Sequence, residues 1–221
     1  MPTSELYQLN EIMELIVLTN PKKMLDVGVG FGKYGLLSRE YLELWDGREK
    51  YHDWKRQIDG IEVNSAYITP IHDYAYDKLY IGNALDILPN LKTEYDLILL
   101  IDILEHFEYT EGIKILESCR RIGRNMIIST PKHIGSQEDS FGNPFETHRF
   151  QWSRKHFDRY SDKFFIQSSG SIICFVGKDQ LTVNAGRILK TPRVKSETGR
   201  RFPLLKKTYK SIRRYLNKDG T

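Results

Sequence analysis

Two groups of residues in this chain have the types and spacing to do chemistry. The first is Leu25-Asp26-Val27-Gly28-Val29-Gly30-Phe31-Gly32. Its glycines can take positive φ and let a ligand approach the backbone closely, and a helix that opens after them attracts an anion to its N-terminus. Such a turn also serves purely structural ends, so its chemistry depends on what stands beside it. Glu62 ends the next apolar run and could accept hydrogen bonds from both hydroxyls of a ribose. It lies 34 positions after Gly28, whereas the dinucleotide fingerprint G-x-G-x-x-G expects an acid about 20 positions on. A polar stretch at 46–56 accounts for the excess, and the G-x-G-x-G spacing disfavours a nicotinamide oxidoreductase. The second group is Asp102-Ile103-Leu104-Glu105-His106, joined by a later run, Asn143-Pro144-Phe145-Glu146-Thr147-His148-Arg149-Phe150-Gln151-Trp152. On a helical turn Asp102, Glu105 and His106 share a face through their i, i+3, i+4 spacing.

These groups sit at the ends of periodic elements. Helix-like apolar spacing covers Glu5 to Leu18 and stops at Asn20-Pro21. Strands are expected at Met24–Val27, Ile58–Val63, Leu79–Ile81, Tyr95–Ile101 and Asn125–Ser129, with helices at Lys33 to Trp45, Ser65–Tyr76 and Thr110–Arg121. Tyr95–Ile101 is the most apolar run, as a central strand buried on both faces requires. A helix at Ser153–Tyr160 and two strands, Phe164–Gln167 and Ile172–Val176, complete the pattern. Strands alternating with helices imply an α/β fold, a doubly wound and mainly parallel seven-stranded sheet with a terminal antiparallel hairpin. Ligands of such sheets lie beyond the carboxyl ends of the strands, where the strand order reverses. Both chemical groups fall at such ends.

With the elements in order, the chain resembles a class I S-adenosylmethionine-dependent methyltransferase. The residues carrying the resemblance are LDVGVGFG (25–32), GIEVN (60–64), GNALDIL (82–88), YDLILLIDILEHF (95–107) and IISTPKH (127–133), in the family's order. The resemblance implies S-adenosylmethionine as cofactor. It implies that Asp26 orients the turn and the cofactor's amino group, and that amides around Gly28 and Gly30 meet its methionine carboxylate. Glu62 holds the ribose. Asn83, standing where the family often has Asp, contacts the adenine amino group, and Ala84 and Leu85 flank the ring. Asp102 favours the sulfonium cation.

For the acceptor side three readings stand. His106 is a general base, since its ordinary pKa near 6.5 suits neutral pH. Alternatively, Glu105 and His106 merely cap and pair at a helix start. In the third, Asp102, Glu105, His106 and a later histidine hold a divalent metal, as in ubiquinone-biosynthesis O-methyltransferases and the enzymes that methylate the terminal 2′-hydroxyl of small RNAs. The base reading leads, and no residue is assigned to a metal. The loop from Gly135 to Gln151 is long enough to be a functional lid. A similar Asn-Pro-x-Glu-x-His followed by Trp occurs in bacterial methyltransferases of glycan-modifying pathways. His148 is expected to bind or deprotonate a hydroxyl, and Trp152 to anchor the loop in the core. The expected activity is O-methylation of a sugar or other small polar acceptor. The alternatives are a metal-dependent RNA 2′-O-methyltransferase and a non-catalytic module that binds the same cofactor.

Charge bears on partners. Of 33 Lys and Arg and 29 Asp and Glu, residues 178–221 hold 13 bases and three acids, a net +10, and the remainder is −6. Phosphate recognition wants a basic face over the site, so an acidic body speaks against nucleic acid. We divide the chain into an N-terminal helix (1–20), a cofactor-binding domain (21–178) and a basic tail (179–221). In the tail, Leu205, Tyr209, Ile212 and Leu216 are spaced as on a short amphipathic helix suited to an anionic membrane surface. Acids at the N-terminus argue against a signal peptide, and two cysteines, Cys119 and Cys174, are too few for a disulfide scaffold. A cytoplasmic setting, peripheral to the inner membrane face, is the expectation.

Overall fold

The structure, a computed structural model, describes residues 3–44, 50, 53–135, 137, 139 and 142–190. Seven strands form one sheet: β1 (Lys23–Val27), β2 (Gln57–Glu62), β3 (Lys78–Ile81), β4 (Tyr95–Ile101), β5 (Gly123–Pro131), β6 (Lys163–Ile166) and β7 (Ser171–Gly177). Their order is β3-β2-β1-β4-β5-β7-β6. Pairing is parallel from β3 across to β5, and β7 runs antiparallel to both β5 and β6. The sequence-derived architecture is therefore the observed one. The last strand enters between β5 and β6, which leaves β6 at the edge.

The helices are α1 (Leu9–Thr19), α2 (Lys33–Glu43), α3 (Pro70–Ala75), α4 (Ala84–Ile87), α5 (Tyr109–Ile122) and α6 (Gln180–Lys190). Helix α1 starts later than its apolar spacing suggests, because Leu6–Gln8 forms a separate 3-10 turn. It ends at Asn20, left-handed at φ 51°, whose N–H returns to the Ile16 carbonyl. The helix expected over Ser65–Tyr76 is split into a 3-10 turn, Ser65–Tyr67, and α3. Pro70 lacks an N–H and disfavours helical geometry in the residue before it, so a new helix starts there with Thr69 at its cap. Ser153–Tyr160 contracts to a 3-10 turn, Arg154–Phe157. Helix α4 and helix α6 have no counterpart in the sequence-derived elements. The chain divides into two compact units, Met1–Gln180 and Leu181–Thr221. The amphipathic pattern at Leu204–Leu216 lies outside the described residues, as does most of the stretch at 46–52. No helix among the described residues is long and apolar enough to cross a membrane.

The core lies on the sheet. Leu25 and Val27 of β1, Ile98 and Leu100 of β4, Met126 and Ile128 of β5 and Cys174 and Val176 of β7 are buried together with Ile115, Leu116, Cys119 and Ile122 of α5. Both cysteines are free and buried. Trp152, 1% exposed, packs beside α5 and donates its indole N–H to the Leu104 carbonyl at 3.0 Å. It anchors the chain that follows the long loop, as expected. Helix α5 makes room for the ring with Gly112, where a Cβ would stand 2.5 Å from Trp152 Cζ2. Ala at a helix interior normally gains up to about 1 kcal/mol over Gly. For Gly112→Ala we expect the opposite sign, a net loss of about 1–3 kcal/mol from overpacking against an immobile ring. Urea denaturation with an unchanged m-value is the check.

Candidate active site

Strands β1 and β4 lie side by side with Val27 level with Leu100, and the order of strands reverses between them. Beyond their carboxyl ends a cleft of about 910 Å³, mouth included, opens between the glycine turn on one side and Asp102 to Phe107 on the other. The ends of β2 and β3 supply Glu62, Asn83 and Ala84 to its wall. Its volume lies within the range of small-molecule sites.

The glycine turn is built from inside. Gly28 and Gly30 have φ of 78° and 53°, and a Cβ on Gly28 would come within 2.7 Å of Ile103 Cδ1. The N–H groups of Gly28 and Val29 both donate to the Ile61 carbonyl at 2.9 and 3.1 Å, and that of Gly32 donates to Val29 O. The Gly30 N–H donates to Glu62 Oε2 at 2.9 Å. His72 closes the arrangement. Its Nδ1 accepts from the Thr69 N–H at 3.0 Å, so Nε2 carries the proton and donates to the Gly30 carbonyl at 2.9 Å. Amides of Gly28 and Gly30 were expected to face a carboxylate in the cleft; they are committed to the turn itself, because a buried N–H must find a partner.

Glu62 accepts from Gly30 and, through Oε1, from the Asn64 N–H at 2.9 Å. A carboxylate has about four lone-pair sites, so capacity remains for a diol. Burial raises its pKa, against the pull of these amides. Asn83 caps α4, its Oδ1 accepting from the Leu85 N–H at 2.9 Å, which leaves one lone pair and the amide N–H₂ for a ligand. Ala84 lines the cleft; Leu85 packs on the core and is outside the wall. Asp26 is also outside it. The carboxyl is buried under the turn and accepts from the Tyr76 hydroxyl at 2.7 Å, and burial raises its pKa to about 7. Asp26 therefore supports the turn from behind and does not face the cleft.

Asp102 does line the cleft, but it leaves the face it was expected to share with Glu105 and His106. Its backbone is left-handed, φ 50°, a conformation that Asp tolerates better than most residues. The Ser129 hydroxyl donates to Oδ1 at 2.6 Å and the Gln8 amide donates to Oδ2. Burial raises its pKa, against these hydrogen bonds. Leu104–His106 is a 3-10 turn. His106 lines the cleft, and its Nδ1 is 3.2 Å from the Thr147 carbonyl. A carbonyl only accepts, so Nδ1 carries the proton and Nε2 keeps its lone pair. Burial lowers the pKa of the ring, which favours this uncharged form. His148 repeats the device, Nδ1–H to the Gly135 carbonyl at 3.1 Å, with its ring 5.1 Å from that of His106. It stands behind His106 rather than in the cleft wall. Between them comes Glu105, 1% exposed, with Oε2 lacking any hydrogen-bond partner and its pKa raised by burial. One ligand atom from each of Glu105, His106 and His148 falls within a set spanning 4.8 Å. The fourfold set with Asp102 does not assemble.

The lid is tied down at both ends. The Glu105 carbonyl accepts from the N–H groups of Arg149 and Phe150 at 2.8 and 3.2 Å. The Tyr67 hydroxyl donates to Glu146 at 3.2 Å and accepts from the Asn143 amide at 3.1 Å. Phe145 is 47% exposed at the rim of the cleft. Sequence reasoning missed Lys33, Tyr67 and the N-terminal residues Thr3 and Ser4, all of which line the cleft. Lys33 was in view, directly after the glycine turn. The other three come from distant chain and gave no local signal.

No family model matches this chain, and no curated protein matches it in sequence. Solved structures share its fold. The methyltransferase domain of bacterial CtHen1 superposes with a TM-score of 0.54 at 18% identity, over 78% of this chain and 98% of that one. The N-terminal domain of EvdMO1 with SAH bound gives 0.55 at 11%, over 79% and 82%. An O-methyltransferase family protein from Burkholderia thailandensis gives 0.57 at 11%, over 77% and 55%.

Asp26 offers a measurable consequence. Its carboxyl takes up a proton near pH 7 in the native state, against 3.8 ordinarily. The native state holds the extra proton between those values, so the stability Asp26 contributes is complete at low pH and falls as pH rises toward 7, by at most about 1.4 kcal/mol per pH unit. Asp26→Asn can keep the Tyr76 hydrogen bond without a titrating proton. We expect the difference in unfolding free energy between variant and wild type to shift in the variant's favour by more than about 1 kcal/mol from pH 5 to pH 8, measured by urea denaturation.

Proposed function

We propose that this chain is a methyltransferase that uses S-adenosylmethionine to methylate a hydroxyl oxygen of a sugar or another small polar acceptor. One observation carries the reading. The cleft at the strand-order reversal joins a ribose-type carboxylate, Glu62, and Asn83 on one side to an uncharged histidine, His106, on the other. The donor fits the residues present. The turn at Gly28 leaves no room for a side chain, Glu62 keeps lone pairs for a diol, and Asn83 and Ala84 stand where an adenine would lie. A bound sulfonium supplies an electrophilic methyl group and departs as a thioether. The chain's part is to orient the acceptor oxygen toward that methyl, exclude water under the 143–151 loop, and take the hydroxyl proton on His106 Nε2.

The acceptor class follows from charge and shape. Glu62, Asp102 and Glu146 line the cleft against a single lysine, which favours a neutral acceptor over a polyphosphate chain. Phe145 and Phe107 offer apolar faces for a sugar ring. A solved EvdMO1 structure was obtained in the presence of SAH and D-fucose, which lends this choice support.

A second reading of the same reaction is favoured by the buried, unpartnered Glu105 oxygen beside two histidines. Two imidazoles and a carboxylate suit a first-row divalent ion, held by Glu105, His106 and His148, which would polarise the acceptor hydroxyl.

For His106→Ala we expect turnover to fall about 100- to 10,000-fold, read as S-adenosylhomocysteine release across an acceptor screen, with cofactor affinity by calorimetry within about threefold. Affinity without turnover in the wild type on every acceptor would favour a binding module instead. Chelation separates the two readings: unchanged turnover after exhaustive EDTA dialysis supports the base, and loss restored by Mn²⁺, Co²⁺ or Zn²⁺ supports the metal.

A further inference from the structure

We infer that Lys33 is the anchor for the α-carboxylate of the methyl donor, and that the Ser4 oxygens it now holds are placeholders which that carboxylate replaces; this rests on the donor proposed above. An amino-acid tail brings a full negative charge into the methionine end of the cleft. Backbone donors of the glycine turn do not meet it, because the N–H groups of Gly28, Val29, Gly30 and Gly32 are already spent on Ile61, Glu62 and Val29. Lys33 is the sole lysine or arginine among the described residues lining the cleft. Its ammonium donates to Ser4 O at 3.0 Å and Ser4 Oγ at 3.1 Å, both neutral, and among the described residues it makes no ion pair. A part-buried cation bonded only to neutral oxygens is an incomplete arrangement, since hydrogen bonds between two charged groups are roughly twice as strong as neutral ones.

The opposite charge stands close by. Asp102 acts electrostatically on Lys33, lines the same cleft, and is held by Ser129, by Gln8 and by the Glu5 amide. Residues 4–8 thus touch both charges, Ser4 on Lys33 and Glu5 and Gln8 on Asp102. A free amino acid presents the same pair of functions in stronger form, a carboxylate toward Lys33 and an ammonium toward Asp102. The N-terminal segment therefore closes the methionine end of the cleft and fills the zwitterion's place until the donor arrives. Only Lys33 must exchange its partners; Asp102 can keep Ser129.

The test compares two ligands that differ in the amino-acid tail, by calorimetry on the full chain. For Lys33→Met we expect affinity for S-adenosylhomocysteine to fall about 10- to 100-fold, the range of hydrogen bonds between charged groups. Affinity for 5′-methylthioadenosine, which lacks the tail, should stay within about threefold. Lys33→Arg should recover most of the loss. Unchanged S-adenosylhomocysteine binding by Lys33→Met would overturn the assignment, and so would an equal loss of both ligands. Should that variant fail to fold, the wild type is titrated with S-adenosylhomocysteine and with its α-carboxamide. A carboxamide at least about tenfold weaker supports the assignment, and equal affinities overturn it. Wild-type protein that binds neither nucleoside sinks the donor reading itself, an outcome separate from the loss of carboxylate recognition alone.

Discussion

Everything in the cleft depends on β1 and β4 pairing in parallel at the point where the strand order reverses. The crossover after β1 leads toward β2 and β3, and the one after β4 leads toward β5, so the two connections part and leave the strand ends uncovered. Two unusual backbone sites result. Gly28 turns at positive φ to clear Ile103, and Asp102 takes a left-handed conformation one residue beyond β4. Ser129, at the level of Ile101 on β5, holds that aspartate by both its hydroxyl and its carbonyl. The sheet thus fixes the two walls of the site relative to each other before any side chain is chosen.

Closing the turn on itself has a chemical consequence. With its N–H groups committed to Ile61, Val29 and Glu62, and its Gly30 carbonyl committed to His72, the bend is a rigid shape more than a source of donors. Recognition of a charged ligand then falls to side chains around the rim. The same economy is visible at the other wall. Thr147 and Gly135 carbonyls fix the tautomers of His106 and His148 from the lid, and the Glu105 carbonyl holds the lid in return. Lid position and histidine chemistry are therefore coupled, and a displaced lid would free the ring of His106 to turn.

How much of this could be read in advance varies with the range of the interaction. The strands were legible from Met24–Val27 and Tyr95–Ile101 because burial on one or two faces writes itself into local apolar pattern. The glycine bend and Glu62 were legible because both sit at strand ends. Helix α4 was not, since its capping by Asn83 and its four residues leave no periodic signature. Asp26 looked like a ligand residue from its place in the turn; the Tyr76 hydroxyl, 50 residues away, makes it a support instead.

Sequence alone determined the order and type of the main elements, the reversal point, and which residue types would stand at the strand ends, because hydrophobic period and turn chemistry act over a few residues. Tertiary structure alone decided which of those residues face the cleft. Gln8 reaches Asp102 across 94 positions and Tyr67 reaches Glu146 across 79. A side chain's direction is set by the partner that satisfies its buried polar atoms, and such partners come from anywhere along the chain.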